Sequence, residues 1–365
     1  MFEARPVAAY GTPLPPGSAT LRVTAETGRR LLLQRGDTEL VAFALDRPDE
    51  VVRFPAPWPR DPINTVAVAG DLSVAVFAGV HALRAVEPGG RLRWEVRHGC
   101  WDSGCFEQHE SYEEYAGGDD HRYPDTGSAV FSPDGSLVWA HVRSEDAVEG
   151  AEVWLVLDAA DGRVLARAET GTVAAGSDHI PHPDPAQMGL SIGEGQDGVP
   201  LRWGRFDGRE LTVEYLGSDE RVLLAVSPSG KRLLTVTHYQ ESLALHDADG
   251  GAVLCELDAD GTVPVPPTAE PLGEDENGEP DFDLRWDYHA GFVDEDTVVT
   301  ATAESDEEWG LARHWLVAAE PLRLLGEIRY PFPVRGYPYT LGDGTWATVG
   351  EGGDTVHVWE LGARG

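Results

Sequence analysis

Apolar and polar positions alternate in short runs broken by Asp-Gly, Pro and other turn-forming residues, a pattern of strands with tight connections rather than of helices. The clearest stretch lies between Ser128 and Thr170. There SAVFSPDG, SLVWAHVRS, EVWLVLDAADG and RVLARAET follow one another as four β-rich segments. Asp134-Gly135 and Asp161-Gly162 supply the positive-φ positions that tight turns between strands require. The same order returns at 221–258, at 288–330 and, more weakly, at 177–216.

The repeat can be measured. Glu26, Gly70, Pro133, Pro183, Pro228, Asp294 and Gly342 mark the first inter-strand turn of successive copies. Most are separated by roughly 45–50 residues, close to the length of one four-stranded propeller blade. The two longer gaps hold insertions at 98–127 and 258–286. Seven marks predict an all-β, seven-bladed β-propeller of four-stranded antiparallel blades, a single domain over 1–365. The last copy stops at its third strand, TVHVWEL at 355–361, and the first copy begins near Thr20. The early segment EARPVAAYG is therefore expected to supply the missing outer strand and close the ring, which leaves no open sheet edge.

Phe131-Ser132-Pro133-Asp134-Gly135, Val356-His357-Val358-Trp359-Glu360 and the blade period together resemble the WD40-repeat family, in a degenerate, bacterial-type form. The resemblance covers essentially the whole chain. No copy opens on the family's Gly-His pair, and Trp359-Glu360 stands nearest to its Trp-Asp. The resemblance implies a rigid platform for protein partners.

Charge narrows the partners. With 63 acidic against 28 basic residues the net charge is −35, which repels nucleic acid and anionic lipid. Three cysteines are too few for a disulfide framework, and the start MFEARPVAAY lacks a basic segment followed by an apolar run. A cytoplasmic protein is expected.

Candidate chemistry concentrates in the insertions. Residues 98–127 hold Cys100, Cys105, His98, His109 and His121, a zinc vocabulary, and Cys100, Cys105, His109 and His121 are the four ligands it offers. The spacing tells against zinc: C-x₄-C is wide, and no second close pair follows. A loop packed by Trp101, Phe106, Tyr112, Tyr115 and Tyr123 is the competing account. Residues 258–286 carry an acidic Asn-Gly run, but the EF-hand positions do not fit. No cofactor is therefore expected. Phosphate-loop, nucleophile-elbow and H-E-x-x-H motifs are missing from the sequence. His179, close to His182, is either a channel-lining residue or a satisfied structural one.

Propeller geometry puts inter-blade loops and second-to-third-strand loops on one face, so both acidic insertions are expected there. Trp58, Trp101, Tyr123, Trp286, Tyr288, Tyr337 and Tyr339 are expected to rim that face, with His179 and the acids Glu307 and Glu308. Exposed aromatics among acids suit a cationic protein or peptide. The leading expectation is a non-catalytic binding platform. The alternatives are a hydrolase or lyase with its active site in the channel, and an acidic inhibitor or immunity-type protein that masks a basic effector.

Overall fold

The structure is a computed structural model. It describes residues 1–25, 27–60, 65–102, 105, 108–117, 121, 125–144, 151–217, 220–265, 271, 273–274, 280–282, 284–302 and 313–362. These fall into two compact units, Thr12–Glu220 and Met1–Gly11 with Arg221–Gly365. Strands dominate both. The described residues contain no α-helix, and none of their helices is long and apolar enough to cross a membrane.

The unit Thr12–Glu220 holds four sheets of four antiparallel strands, at 19–55, 66–97, 128–169 and 176–215. We number them sheets 1 to 4. The other unit holds sheet 5 (221–258), sheet 6 (286–329) and sheet 7 (334–361 with Phe2–Gly11). Strand order follows chain order within sheets 1 to 6, as the repeat predicts. Each predicted mark falls between a first and a second strand. The earliest, Glu26, lies outside the described residues, but the strands Ala19–Thr24 and Leu31–Gly36 bracket it. Gly135 and Gly162 adopt φ of 72° and 74°, as their turns demand.

Closure of the last sheet follows the sequence argument. Phe2–Gly11 lies antiparallel to Thr355–Leu361, in register from Ala4↔Leu361 to Gly11↔Thr355 with a shift between Pro6 and Ala8. Arg5 and Glu360 form an ion pair across this ladder. One feature was not expected: Phe2 and Glu3 also pair, in parallel, with Ile328 and Arg329 of sheet 6. The N-terminal strand thus joins sheets 6 and 7 into one eight-stranded sheet and occupies the outer edge of both.

Burial follows the order of strands. Second and third strands are buried almost throughout, as in Leu137–Arg143 and Glu152–Asp158, whereas outer strands such as Val164–Glu169 alternate. A strand covered on both faces reads as a continuous apolar run, and one at the rim alternates. Apolar clusters fill the seams between neighbouring sheets within each unit. Tryptophan supplies much of the volume. A Cβ at Gly204 would lie 2.8 Å from the Trp139 ring and 2.9 Å from that of Trp154, so only glycine lets these indoles reach sheet 4.

Deleting residues 1–12 should markedly lower the thermal unfolding midpoint, because two sheets then expose an unpaired edge. Melting by circular dichroism checks this, and an unchanged midpoint would contradict the bridging role of the strand.

Candidate metal centre and aromatic cluster

The loop after sheet 2 begins against its own sheet: His98 N–H donates to His81 C=O at 3.0 Å and Trp101 N–H to Val80 C=O at 2.9 Å. Arg143, on the second strand of sheet 3, then fastens both ends of the loop. One guanidinium nitrogen donates to the carbonyls of Cys100 (3.2 Å) and Asp102 (3.0 Å), another to the Asp125 carboxylate (3.2 Å). The same guanidinium sits over the Trp101 ring, 5.1 Å from its centroid. A Cβ on Gly127 would fall 2.0 Å from the His141 carbonyl and 2.7 Å from Trp101, so the returning chain requires glycine there.

Between those fastenings four metal-ligand side chains converge. The donor atoms of Cys100, Cys105, His109 and His121 all lie within 4.8 Å of one another. Cys100 Sγ is 3.3 Å from His121 Nε2, and Cys105 Sγ is 3.3 Å from His109 Nε2. The Asp102 N–H donates to Cys100 Sγ at 3.4 Å. The Tyr115 ring stacks on His121 at 4.9 Å, lies 4.9 Å from His109, and anchors its hydroxyl 2.8 Å from His81 Nδ1. Glu114 reaches to 3.5 Å from His109 Nδ1. Burial pushes the Cys100 thiol well above the ordinary range. The wide spacing in sequence does not keep these four donors apart. Four donors need not come as two sequential pairs to meet at one point. Of the aromatics expected to pack this loop, Phe106 and Tyr123 lie outside the described residues.

The expected aromatic rim is corrected in part. Trp58, Trp101 and Trp286 are 5%, 1% and 0% exposed, and His179 is 2% exposed, so none of the four offers a surface. Trp58 fills the seam of sheets 1 and 2, and Trp286 that of sheets 5 and 6, where its N–H donates to Leu257 C=O at 2.9 Å. An indole is the largest filler a seam can take, and burial there outweighs presentation to solvent. His179 is satisfied at both nitrogens: Ser128 Oγ lies 2.7 Å from Nδ1, and Trp154 Nε1–H donates to Nε2 at 2.9 Å. Tyr123, Glu307 and Glu308 lie outside the described residues.

Tyr337 and Tyr339 do come together, half-buried, on the first strand of sheet 7, and Tyr288 stands exposed on the first strand of sheet 6. His289, which the sequence reading did not single out, joins them. Its ring stacks on Tyr337 with centroids 3.3 Å apart and planes 4° from parallel, and Tyr337 meets Tyr339 edge-on at 5.1 Å. Tyr288 is 37% exposed and spends its hydroxyl on the His238 carbonyl. Both strands leave their ladders here, between Trp286 and Ala290 and between Arg335 and Tyr339. Such irregularities re-aim side chains and recur beside functional sites. Asp287, which contacts His289, is fully buried. Its Oδ1 accepts from the His289 backbone N–H (2.6 Å) and faces His289 Nδ1 (2.7 Å), whereas Oδ2 has no hydrogen-bond partner among the described residues. A buried relay holds the second strand in place. Trp346 N–H donates to Tyr330 O (2.9 Å), Tyr330 O–H to His314 Nδ1 (2.6 Å), and His314 Nε2–H to the Gly336 carbonyl (2.9 Å).

A second polar network runs inside sheets 3 and 4. Ser177 Oγ lies 3.0 Å from His141 Nδ1 and 2.9 Å from Ser128 Oγ, and His141 Nε2 lies 3.3 Å from Glu152 Oε2. Glu152 also accepts from Thr172 Oγ1 and the Ala174 N–H, each at 2.6 Å.

No family model matches this sequence, and no curated protein is similar enough to count as a relative. Solved structures are similar throughout. The Cps50 (Swd1) β-propeller domain of Myceliophteria thermophila is 13% identical with a TM-score of 0.55, covering 98% of this chain and 100% of that one. The RRP9 WD40 repeats are 11% identical with a TM-score of 0.55, covering 96% and 99%. BamB from Moraxella catarrhalis is 12% identical with a TM-score of 0.50, covering 98% and 99%. At this identity the likeness shows the fold, a WD40-like β-propeller with seven four-stranded blades.

Burial holds His81 and His314 neutral, each lowered to about 4, with Arg84 adding repulsion at His81. Burial lowers His179 well below its ordinary value too. The unfolded chain takes up these protons near pH 6.5, before the folded chain can. Their contribution to stability is therefore complete above about pH 6.5 and is lost as pH falls toward about 4. Urea midpoints should drop between pH 7 and 5.5, a window in which most carboxylates stay ionised. The drop should be smaller in His314→Gln.

Proposed function

We propose that the protein is a non-catalytic binding platform for a cationic protein or peptide. The observation that carries this reading is the stack of His289 on Tyr337, with Tyr339 edge-on to it and Tyr288 exposed next to His289 in the chain, on two neighbouring strands that break their ladders at that point. Aromatic faces attract guanidinium and ammonium groups. The net charge of −35 favours encounter with a basic partner and disfavours acidic ones. A platform role is also common among WD40-like propellers. An acidic inhibitor of a basic effector would be a special case of the same chemistry.

Affinity capture from the native lysate with the wild-type chain as bait should recover a basic partner. Tyr337→Ala should weaken the purified complex by about 2 kcal/mol, roughly 30-fold in Kd, as for an aromatic anchor. Raising salt until the Debye length is well below about 10 Å should slow association. Full retention with Tyr288→Ala, Tyr337→Ala and Tyr339→Ala together, measured by calorimetry, would refute this site. Trp101→Ala and Trp286→Ala, in contrast, should act on stability, at about 3–5 kcal/mol each.

The enzymatic alternative has one observation in its favour, the order Ser177, His141, Glu152 with Ser177 half-buried. This is the order of a nucleophile, its base and the carboxylate that orients the base. Ser128 Oγ connects this network to His179, whose two ring nitrogens are both engaged. A fluorophosphonate probe decides the matter: labelling of the wild type that disappears in Ser177→Ala supports hydrolysis, and absence of labelling leaves the platform reading in place.

A further inference from the structure

We infer that Cys100, Cys105, His109 and His121 bind one zinc ion, and that this ion is structural. A tetrahedral site with Zn–S of about 2.3 Å and Zn–N of about 2.0 Å places sulfur and nitrogen about 3.5 Å apart. Both sulfur–nitrogen pairs measure 3.3 Å, and all four donors lie within 4.8 Å of one another. Two of the six donor pairs already stand close to the separation that a bound ion would impose, and none of the others exceeds 4.8 Å.

The donor set selects the metal. Two sulfurs and two imidazole nitrogens suit zinc and exclude magnesium and calcium, which take oxygen. Two thiolates neutralise a divalent ion, so the pocket would bury no net charge, and burial of an unbalanced charge is what such a place cannot tolerate. Cys100 and His109 are 3% and 7% exposed. The surroundings are those of a metal site as well. The Asp102 N–H points at Cys100 Sγ, Glu114 approaches the outer nitrogen of His109, and Tyr115 covers both histidines. Outer partners of this kind fix ring orientation and ligand basicity. Four protein ligands leave no open position for a reacting group, which makes the site structural.

The loop itself supplies the reason for a metal. Between the strands Leu92–Arg97 and Ser128–Phe131 the described residues hold no strand and no α-helix, only 3₁₀ turns such as Tyr112–Glu114. A connection so long, with so little secondary structure among its described residues, is uncommon in a compact fold unless something ties it down. Arg143 fastens its ends, and the ion would fasten its middle to Cys100 at its root.

The test uses the full chain, purified under reducing conditions without added metal. Elemental analysis should find one zinc per chain. After demetallation, cobalt(II) should bind at one equivalent and give the intense visible bands of a tetrahedral site with the charge-transfer bands of thiolate ligands. Zinc should then displace it. Cys100→Ser and Cys105→Ser should each abolish those bands, and Cys255→Ser should leave them intact. Proteolysis within 98–127 should quicken on chelation and slow again when zinc is restored. The inference fails if the wild-type chain, reduced and folded, retains no zinc and shows no tetrahedral cobalt spectrum, a readout independent of how the variants fold. It also fails if copper alone is retained, if the Cys100 and Cys105 thiols alkylate equally fast with and without zinc, or if the spectrum survives in Cys100→Ser with Cys105→Ser.

Discussion

In four of the seams within the two units, an indole buried between neighbouring sheets sends its N–H to an acceptor on or beside the adjacent sheet. Trp94 donates to the Ala159 carbonyl at 3.0 Å, Trp154 to His179, Trp286 to the Leu257 carbonyl, and Trp346 to Tyr330. Much of the structure depends on these bonds. A sheet covered on both faces needs bulky filler, and tryptophan fills best, but its buried N–H is costly without a partner. Each bond therefore fixes the offset of one sheet against the next as well as their spacing. Trp139 and Trp315, whose buried N–H groups have no partner among the described residues, mark where filling the seam took precedence.

The same constraint explains what could be read from the sequence. Turns such as Ser132-Pro133-Asp134-Gly135 recur because every sheet returns on itself three times, so the period and the pairing of residues 2–10 with 355–361 were legible. Tryptophans were not legible in the same way. Trp286 opens a first strand after a long acidic loop, which looks like a rim position, yet its ring turns into the seam toward Leu257. Alternation reports on a strand's two faces, and here both faces are interior. A tryptophan that begins a strand next to a long loop is better read as the plug of a seam.

The accessible cluster was half legible. Tyr288, Tyr337 and Tyr339 are visible as aromatics, but His289 gains its place from two ladder irregularities that no local pattern announces. Their support lies far away in sequence: His314 reaches the Gly336 carbonyl only because Tyr330 and Trp346 orient its ring. That relay reads as part of the core from one side and as the scaffold of a surface from the other. Removing His314 would disturb Tyr337 without touching any exposed residue.

Polar chemistry is thus displaced to places where a sheet stops being a sheet. First strands can bulge because they have a strand neighbour on one side only, and inter-sheet loops can lengthen because both their ends are held. Residues 98–127 illustrate the second case. Arg143, a strand residue, secures Cys100 and Asp102 at one end and Asp125 at the other, so the intervening chain can arrange itself around Cys100, Cys105, His109 and His121 without loosening sheets 2 and 3. The wide spacing of these four ligands is the natural outcome. A short zinc knuckle has to create its own turn, whereas a loop already closed by an arginine needs only to bring four donors to one point. The aromatic cluster and the cysteine–histidine site rest on different supports, in different units, so either can be lost in a variant while the other persists.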